Sequence, residues 1–181
     1  PPPSNQEDSA SSASIAAAYI GLACWCLWAL LWLGAWAANR CRELGFQVHG
    51  FDGSEGLAAE ARKKYGIEVT VGRFEDFNQV NAYDGIWASF CLLHDSREAM
   101  PGHLNRLHDA LTPNGQLYLG LKEGTGSQRD TLDRLYVYYT EAEIRDLLGK
   151  AGFNVAKITF DENKGYDGVE VRGLHILAER A

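Results

Sequence analysis

The chain has 181 residues, which is enough for one domain with a sizeable core. Its formal net charge of −7 at pH 7 argues against nonspecific binding to nucleic acid or to anionic membranes. The four cysteines form no Cys-x-x-Cys pair and show no zinc-ligand spacing. From the cysteines we expect reduced thiols, no metal and a cytoplasmic location. From the charge we expect a small-molecule substrate, and the oligomeric state stays open, with a homodimer as one possibility.

The first part of the chain is unusual in composition. Residues 1–14 are rich in Pro, Ser, Ala and acidic residues, which predicts a disordered segment before a single domain over 15–181. Ile15–Ala38 then runs 24 residues without a charged side chain. Three interpretations stay open, namely a buried strand followed by the start of a helix, an altered segment such as an out-of-frame reading, and a membrane span. The span is disfavoured because membrane tryptophans prefer the two interfaces, whereas these form one helical stripe: Trp25, Trp28, Trp32 and Trp36.

Beyond this stretch, helical and strand patterns alternate. The helical patterns cover Ala35–Leu44, Glu55–Tyr65, Arg97–Leu111 and Thr140–Ala151. The strand patterns cover Phe46–Phe51, Ile67–Val71, Tyr83–Phe90, Gln116–Leu121, Phe153–Phe160 and Val171–Ala178. Between them we expect a loop or short helix, a turn and a Gly-rich loop, at Phe74–Asn81, Thr112–Gly115 and Lys122–Asp130. The alternation predicts βαβ units and a mostly parallel sheet, whose first strand must come from the apolar stretch, near Leu27–Leu33.

An acidic residue stands where a strand pattern ends. Asp52 closes the strand that begins at Phe46, and ligands of open α/β sheets bind at the carboxyl ends of the strands. Its two carboxylate oxygens could accept hydrogen bonds from both hydroxyls of a nucleoside ribose. The alternative is a structural acid that caps the following helix. Gly53 would permit close passage of the backbone, and Ser54 is a helix N-cap in either interpretation.

An ordered set of short segments resembles a known family. The segments are Gly50–Ser54, Phe74–Phe77, Tyr83–Ala88, Leu92–His94, Leu111–Gln116 and Ala151–Phe153. From about Gly45 to its end, the chain resembles class I S-adenosylmethionine-dependent methyltransferases, in particular the small bacterial tellurite-resistance-like type. The resemblance implies an α/β, Rossmann-like three-layer sandwich with helices on both faces of a seven-stranded, mostly parallel sheet of order 3-2-1-4-5-7-6. It also implies S-adenosylmethionine as cofactor and methyl transfer to a small-molecule acceptor.

The same resemblance implies the cofactor-binding residues beyond Asp52. The loop of Phe74, Glu75 and Asp76 would cover the adenine, with the Phe74 ring or backbone amide on the base. One of the two carboxylates would accept from the adenine amino group, and the sequence does not choose between them. Ser89 and Phe90 would lie beside the reacting centre.

Five further residues are candidates for the acceptor side. His94 could orient a substrate or take a proton, although a histidine here is equally a hydrogen-bonded turn residue. Arg129, in the Gly-rich loop, could clamp an anionic substrate. Tyr136, Tyr138 and Tyr139 could line the pocket or pack in the core.

One family motif is replaced in this chain. The family's first motif is an acidic residue followed by Gly-x-Gly-x-Gly, whose backbone approaches the methionine part of the cofactor. The aligned segment, Trp28–Gly34, keeps only Gly34, and Leu30 and Trp32 would fill space that the cofactor needs. Two alternatives to an active enzyme follow, a catalytically inactive binding protein of this fold and a membrane-anchored methyltransferase-like domain. A nicotinamide dehydrogenase ranks last, because Gly-x-Gly-x-x-Gly is missing.

Overall fold

The computed structural model describes residues 14–18, 38–164 and 170–181. Its strands are β1 (Ser14–Ala18), β2 (Gln47–Asp52), β3 (Val69–Val71), β4 (Tyr83–Ser89), β5 (Leu111–Lys122), β6 (Ser127–Arg129), β7 (Leu135–Val137), β8 (Phe153–Lys164) and β9 (Glu170–Arg180). Its helices are α1 (Glu55–Tyr65), α2 (Met100–Ala110) and α3 (Glu141–Lys150). Residues 38–43 are also helical, and single 3-10 turns cover Phe74–Asp76, Leu92–His94 and Arg97–Ala99.

Seven of these strands form one sheet in the order β3-β2-β1-β4-β5-β9-β8. Strands β1 to β5 pair in parallel, whereas β9 is antiparallel to both β5 and β8. Numbered along this sheet alone, the order reads 3-2-1-4-5-7-6. The chain leaves β1 towards one edge and returns to its other side at β4, so the strand order reverses between β1 and β4. Ligands of open α/β sheets bind at such a reversal, outside the carboxyl ends of the strands.

The position of the first strand corrects the sequence prediction. We expected it near Leu27–Leu33, but it is Ser14–Ala18, with Ile15 opposite both Val48 and Gly85. The apolar stretch does supply the strand, through its first four residues. The prediction was wrong about the place because uniform apolar composition carries no signal for where a strand begins. Ser14, assigned to the disordered segment, is the first residue of β1.

Several predictions for the first 37 residues fall on parts that are not described. Residues 1–13 lie outside the described residues, and so do residues 19–37, including Gly34 and the aligned segment Trp28–Gly34. Within the described parts of the chain, no helix is long and apolar enough to cross a membrane.

The helix ends follow local sequence rules. The Ser54 hydroxyl accepts from the Leu57 amide at 3.4 Å at the start of α1. Gly66 ends that helix in a left-handed conformation, with φ of 63°. The Thr140 hydroxyl accepts from the Glu143 amide at 3.2 Å and so caps α3. The Ser54 cap agrees with the sequence-based expectation, and all three ends use residue types that favour helix ends.

Helices cover both faces of the sheet. On one face, Leu117, Leu119 and Leu121 alternate inward from β5 into the main core, beneath α2 and α3. Each such leucine contributes about 1.5–3 kcal/mol by burial. On the other face, a smaller cluster joins Ala58 of α1 to Val69. The α/β, Rossmann-like fold is therefore confirmed.

Two connections differ from prediction. Thr112–Gly115, expected as a turn, lies within β5, but the register there jumps from Tyr83 opposite Leu111 to Gly85 opposite Gln116. The predicted turn is thus an irregularity inside the strand. The Gly-rich loop contains β6, which pairs antiparallel with β7. Strands of three residues are too short to give a period-two pattern, so the sequence did not show this hairpin.

Candidate functional site

Asp52 lies at the carboxyl end of β2, next to the strand reversal. It is 3% exposed, and its Oδ1 accepts a hydrogen bond from the Ser54 amide at 2.7 Å. Burial raises the pKa of the Cys91 thiol to about 12, and the Asp52 charge adds to the rise. Asp52 is therefore electrostatically coupled to the segment that follows β4. A buried carboxylate at this point suits the ribose of a nucleoside cofactor, and it also orders the start of α1.

Glycines bring β2 and β3 together beside Asp52. A Cβ at Gly50 would lie 2.8 Å from the Val69 Cγ2 atom, too close for any side chain. A Cβ at Gly53 would meet only the Gly72 carbonyl oxygen, at the ordinary contact distance of 3.6 Å. Packing in the described residues therefore explains Gly50 but does not require glycine at position 53.

The turn after β3 holds the three residues expected at the adenine. The Phe74 ring is in the core, 4% exposed, with its centroid 5.2 Å from that of His103. This placement leaves the Phe74 backbone, rather than its ring, as the part that can meet a base. The Asp76 Oδ2 atom accepts from the Arg73 amide at 2.9 Å, which fixes that carboxylate within the turn. Glu75 is exposed.

The end of β4 has an unusual backbone conformation. Phe90 has φ of 52°, a region that residues other than glycine seldom adopt. Its amide donates to the Gly120 carbonyl at 2.9 Å, and a Cβ at Gly120 would lie 3.2 Å from Phe90. The Phe90 ring also packs edge-on against His175, at 5.5 Å between centroids. Phe90 is thus held in a strained turn beside the strand reversal.

Behind Phe90, polar side chains connect neighbouring strands. Ser89 hydrogen-bonds the Tyr118 side chain, and the Tyr118 hydroxyl lies 2.6 Å from the His175 Nδ1 atom. The His175 Nε2 atom is 3.1 Å from an Asp161 carboxylate oxygen. Burial raises the pKa of Tyr118. The sequence analysis singled out only Ser89 of these four, because the others come together through strand pairing rather than sequence proximity.

His94 is held in a fixed orientation by the hairpin. Its Nδ1 atom lies 2.8 Å from the Leu135 carbonyl oxygen, so this nitrogen carries the proton and donates it. Its ring is edge-on to Tyr136, with 4.6 Å between centroids. Burial lowers the pKa of His94, and the charges of Arg134 and Lys122 lower it further, against the opposing effect of the Leu135 hydrogen bond. The ring is therefore neutral at pH 7, with Nε2 as an acceptor.

A pocket lies between the end of β5 and the β6–β7 hairpin. It is lined by Lys122, Gln128, Asp130, Thr131, Arg134, Tyr136, Tyr138 and Val171. Two of the three tyrosines predicted to line a pocket are among these residues, whereas Tyr139 is buried in the main core. Arg129, predicted as an anion clamp, is not one of them. Its side chain is 57% exposed and binds the Asp133 carbonyl at 2.5 Å.

Arg97 fixes the hairpin to the rest of the domain. Its guanidinium pairs with the Glu143 carboxylate at the start of α3. It also donates to the carbonyl oxygens of Tyr138 at 2.5 Å and Gly126 at 3.1 Å. Sequence reasoning missed this residue. A Thr followed three residues later by a Glu is typical of a capping box, in which Glu143 would bind the Thr140 backbone. The Glu143 side chain instead goes to Arg97.

Metal ligation has no support in the part of the chain that is described. Across residues 14–18, 38–164 and 170–181, no group of three His, Cys, Asp or Glu side chains is placed to hold an ion. Cys41 and Cys91 are free thiols. The polar groups that the structure places at this end of the sheet are Asp52, His94 and the charged pocket.

Comparison with known proteins agrees with this geometry. Residues 33–115 match a family model described as a methyltransferase domain. No curated protein is significantly similar in sequence.

Among solved structures, a Burkholderia thailandensis 1,6-didemethyltoxoflavin N1-methyltransferase, with its substrate and S-adenosylhomocysteine bound, superimposes with a TM-score of 0.73. It is 21% identical, over 94% of this chain and 72% of that one. An S-adenosylmethionine-dependent methyltransferase from Methanosarcina mazei gives a TM-score of 0.72 at 17% identity, over 93% of this chain and 92% of its own. The [4+2]-cyclase SpnF gives a TM-score of 0.66 at 14% identity, over 93% of this chain and 74% of its own. At these identities the likeness shows the shared fold.

Proposed function

We propose that this chain, which carries a methyltransferase domain with S-adenosylmethionine as its cofactor, transfers the methyl group of that cofactor to a small-molecule acceptor. The observation that carries the proposal is the buried Asp52 carboxylate at the carboxyl end of β2, next to the strand reversal. The B. thailandensis structure, which has a small-molecule substrate bound, supports the acceptor class. The tellurite-resistance-like type and the cytoplasmic location rest on sequence motifs and composition alone.

The described residues fit the nucleoside half of this cofactor. Asp52 would accept from the ribose hydroxyls, and Gly53 and Ser54 would let the backbone pass close to the sugar. The turn at Phe74 would meet the adenine through its backbone. Glu75, an exposed carboxylate of that turn, would accept from the adenine amino group, since Asp76 already accepts from the Arg73 amide. Gly34, which the sequence analysis expected at the methionine half, lies outside the described residues.

When bound, the cofactor supplies a methyl group that its sulfonium charge has already activated. The protein's task is then to align the acceptor with that methyl group, and such alignment lowers a barrier by about 7–11 kcal/mol in favourable cases. Ser89 and Phe90 form the wall at the end of β4, beside the reversal. The neutral His94 ring, fixed through Nδ1, presents Nε2 as the atom that would take a proton from a hydroxyl or amine acceptor.

A second candidate is a binding protein of the same fold without methyl transfer. The observation in its favour is that the sequence between β1 and β2 contains no Gly-x-Gly-x-Gly. The [4+2]-cyclase SpnF shares the fold and is named for a reaction other than methyl transfer. Turnover of the cofactor separates the two candidates.

The test is calorimetric titration of the full chain with S-adenosylhomocysteine, together with Asp52→Asn. Asparagine keeps an oxygen for the Ser54 amide but removes the charge, so we expect roughly a 10- to 100-fold loss of affinity. The matched control is Asp146→Asn, a surface carboxylate on α3 that pairs with Lys150, and it should bind like the unmodified chain. Absence of binding by the folded chain contradicts the proposal. Binding without transfer of labelled methyl to any of a broad set of thiols, oxyanions and amines favours the inactive binding protein.

A further inference from the structure

We propose that Ser89, Tyr118 and His175 form a proton path from the end of β4, and that the acceptor is a compound whose hydroxyl group gives up its proton along this path. The proposal rests on the methyl-transfer function above, since it names the class of acceptor that the same site would take. Ser89 would be the catalytic residue, because it would touch the acceptor. Tyr118 and His175 would be positioning residues that act through Ser89.

Strand pairing brings the three side chains of the proton path together. Ser89 lies opposite Gly120 of β5, and Gly120 lies opposite His175 of β9. Directly opposite residues of paired strands share a face of the sheet, so Ser89 and His175 lie on the same face. Tyr118 comes two residues before Gly120 in β5, and its side chain therefore lies on that face as well.

The hydrogen bonds along the proton path have one direction. The Tyr118 hydroxyl lies 2.6 Å from the His175 Nδ1 atom, and the His175 Nε2 atom lies 3.1 Å from an Asp161 oxygen. Because a carboxylate only accepts, the tautomer with its proton on Nε2 suits both neighbours, and Nδ1 then accepts from Tyr118. Ser89 also bonds to Tyr118, whose own proton is already used, so the Ser89 hydroxyl is the donor.

Two glycines leave the space that His175 and its neighbours occupy. A Cβ at Gly120 would lie 3.2 Å from Phe90, whose ring covers one side of His175 at 5.5 Å between centroids. A Cβ at Gly173 would overlap the Asp161 carboxylate and would lie 3.2 Å from the His175 Nε2 atom. A side chain at either glycine would therefore displace His175 or a residue that holds it.

The nearby charges favour His175 as the end of the path. Burial lowers the pKa of His94, and two neighbouring cations lower it further, so they oppose a positive charge there. The titratable groups that the described structure packs against His175 are Tyr118 on β5 and Asp161 on β8. An imidazolium at His175 would face the Asp161 carboxylate, and opposite charges at this distance attract. The path thus gives the acceptor proton a destination with its own counter-ion, in addition to His94.

Every proton on the path has a place to go. The acceptor oxygen forms its bond to the methyl carbon as the carbon–sulfur bond breaks, and that electron pair stays on sulfur. The acceptor proton moves to the Ser89 oxygen while the Ser89 proton moves to Tyr118 and the Tyr118 proton moves to His175 Nδ1. His175 then releases its proton to solvent, since 23% of its side chain is exposed. A neutral hydroxyl needs such a path because it is a weak nucleophile, whereas a thiolate does not.

The first test is NMR of the histidine side-chain nitrogens in the full, nitrogen-15-labelled chain. We expect His175 Nδ1 to carry no proton at pH 8, and its resonance should shift in Tyr118→Phe and in Ser89→Ala. Tyr83→Phe is the matched control, because the Tyr83 hydroxyl lies 2.8 Å from the His49 Nδ1 atom at the opposite end of β4. It should shift the His49 resonance and leave that of His175 in place. A proton on His175 Nδ1 in the unmodified chain, or no response to Ser89→Ala, would overturn the path.

The second test measures transfer of labelled methyl from S-adenosylmethionine to acceptors that differ only in oxygen or sulfur. The pairs are phenol and thiophenol, catechol and benzene-1,2-dithiol, and 2-naphthol and 2-naphthalenethiol, in which the thiol ionises more readily than the matching hydroxyl. We expect transfer to at least one hydroxyl acceptor. Tyr118→Phe and His175→Gln should lower its kcat by about 100-fold or more, and should change that of any methylated thiol by less than about threefold. Tyr83→Phe should change neither.

Three results of the second test would overturn the path. They are no transfer to any hydroxyl acceptor, equal losses with oxygen and sulfur acceptors, and a loss in His94→Gln without one in His175→Gln. Thermal melts establish that each variant is folded. Failure of the folded chain to bind S-adenosylhomocysteine refutes the methyltransferase function and the path with it, whereas transfer to thiols alone keeps the function and refutes only the path.

Discussion

The guanidinium of Arg97 donates to the backbone carbonyl of Tyr138, 41 positions later in the sequence, across 2.5 Å. Tyr138 lines the charged pocket, and Arg97 begins the 3-10 turn that leads into α2. One side chain thus ties a pocket wall to the helix layer. The hairpin is otherwise a two-stranded sheet of its own, and such a sheet is marginally stable without packing against something else.

Arg97→Ala should destabilise the hairpin more than the domain. The change leaves the Tyr138 and Gly126 carbonyl oxygens and the Glu143 carboxylate without the Arg97 donor. We expect a loss of about 1–2 kcal/mol in the free energy of unfolding. The loss is smaller than for a fully buried ion pair, because both side chains are about one-third exposed. Urea unfolding measures the total, and hydrogen exchange at the Tyr138 amide measures the local opening. Arg145→Ala removes an exposed pair with Glu141 and should cost less than about 0.5 kcal/mol. Equal losses in the two variants would contradict an anchoring role for Arg97.

His94 should make the stability of the fold depend on pH below neutrality. The pKa of His94 is lowered in the folded chain, chiefly by burial, so the unfolded chain binds the proton more readily. The stabilising contribution is therefore complete above the unfolded pKa of about 6.5 and is lost as the pH falls through the lower, folded pKa.

Denaturation midpoints between pH 4 and 8 test this expectation. His94→Gln should flatten the slope below about pH 6.5, whereas His108→Gln, which leaves His94 in place, should keep it. Lys122→Gln should also weaken the slope, because the Lys122 charge lowers the pKa of His94 in the folded state. If stability falls with decreasing pH just as steeply in His94→Gln, other groups cause the loss of stability below about pH 6.5.

Gly120→Ala should perturb the strained turn at Phe90. The new methyl group would lie 3.2 Å from the Phe90 amide and ring, and overpacking of this kind costs about 1–3 kcal/mol. Gly149→Ala is the matched control, since its Cβ meets nothing within 4 Å in α3. That change should stabilise the chain by up to about 1 kcal/mol, because alanine is the better helix former. Thermal unfolding should therefore shift in opposite directions, and a neutral Gly120→Ala would contradict close contact at Phe90.

Cys91 should be unreactive in the folded chain. Burial raises the pKa of its thiol to about 12, and the thiolate is the reactive species. Treatment with iodoacetamide at pH 8, followed by peptide mapping, should show no modification at Cys91 until the chain is unfolded. Cys41 is partly exposed and should be alkylated before unfolding. Early modification of Cys91 would mean that the segment after β4 opens readily.

Local sequence rules predicted well where the cause is local. Ser54 and Thr140 cap helices because a hydroxyl meets an amide three residues ahead, and Asp52 ends a strand whose neighbours fix its place at the reversal. The failures have long-range causes. Arg129 and Lys122 are both cations near the Gly-rich segment. Arg129 lies opposite Leu135 in the hairpin and Lys122 lies opposite Gly173 of β9, and these long-range pairings place Lys122, not Arg129, at the pocket.

The first strand shows a different kind of failure. Ser14–Ala18 contains small residues that alone favour no particular structure, and its assignment depends on β2 and β4 on either side. In a long apolar stretch every window is equally suitable for burial. Partner strands, and not the stretch itself, select the register.

The central place of β1 also sets an order of events during synthesis. Ile15 pairs with Val48 on one side and with Gly85 on the other, and 85 − 15 is 70 residues of chain. At roughly 5–20 residues per second, about 4 to 14 s pass between translation of Ile15 and of its second partner. Throughout that interval one edge of β1 has no strand beside it in the nascent chain. During synthesis, as well as in the finished sheet, those five residues must therefore be kept from pairing with other strands.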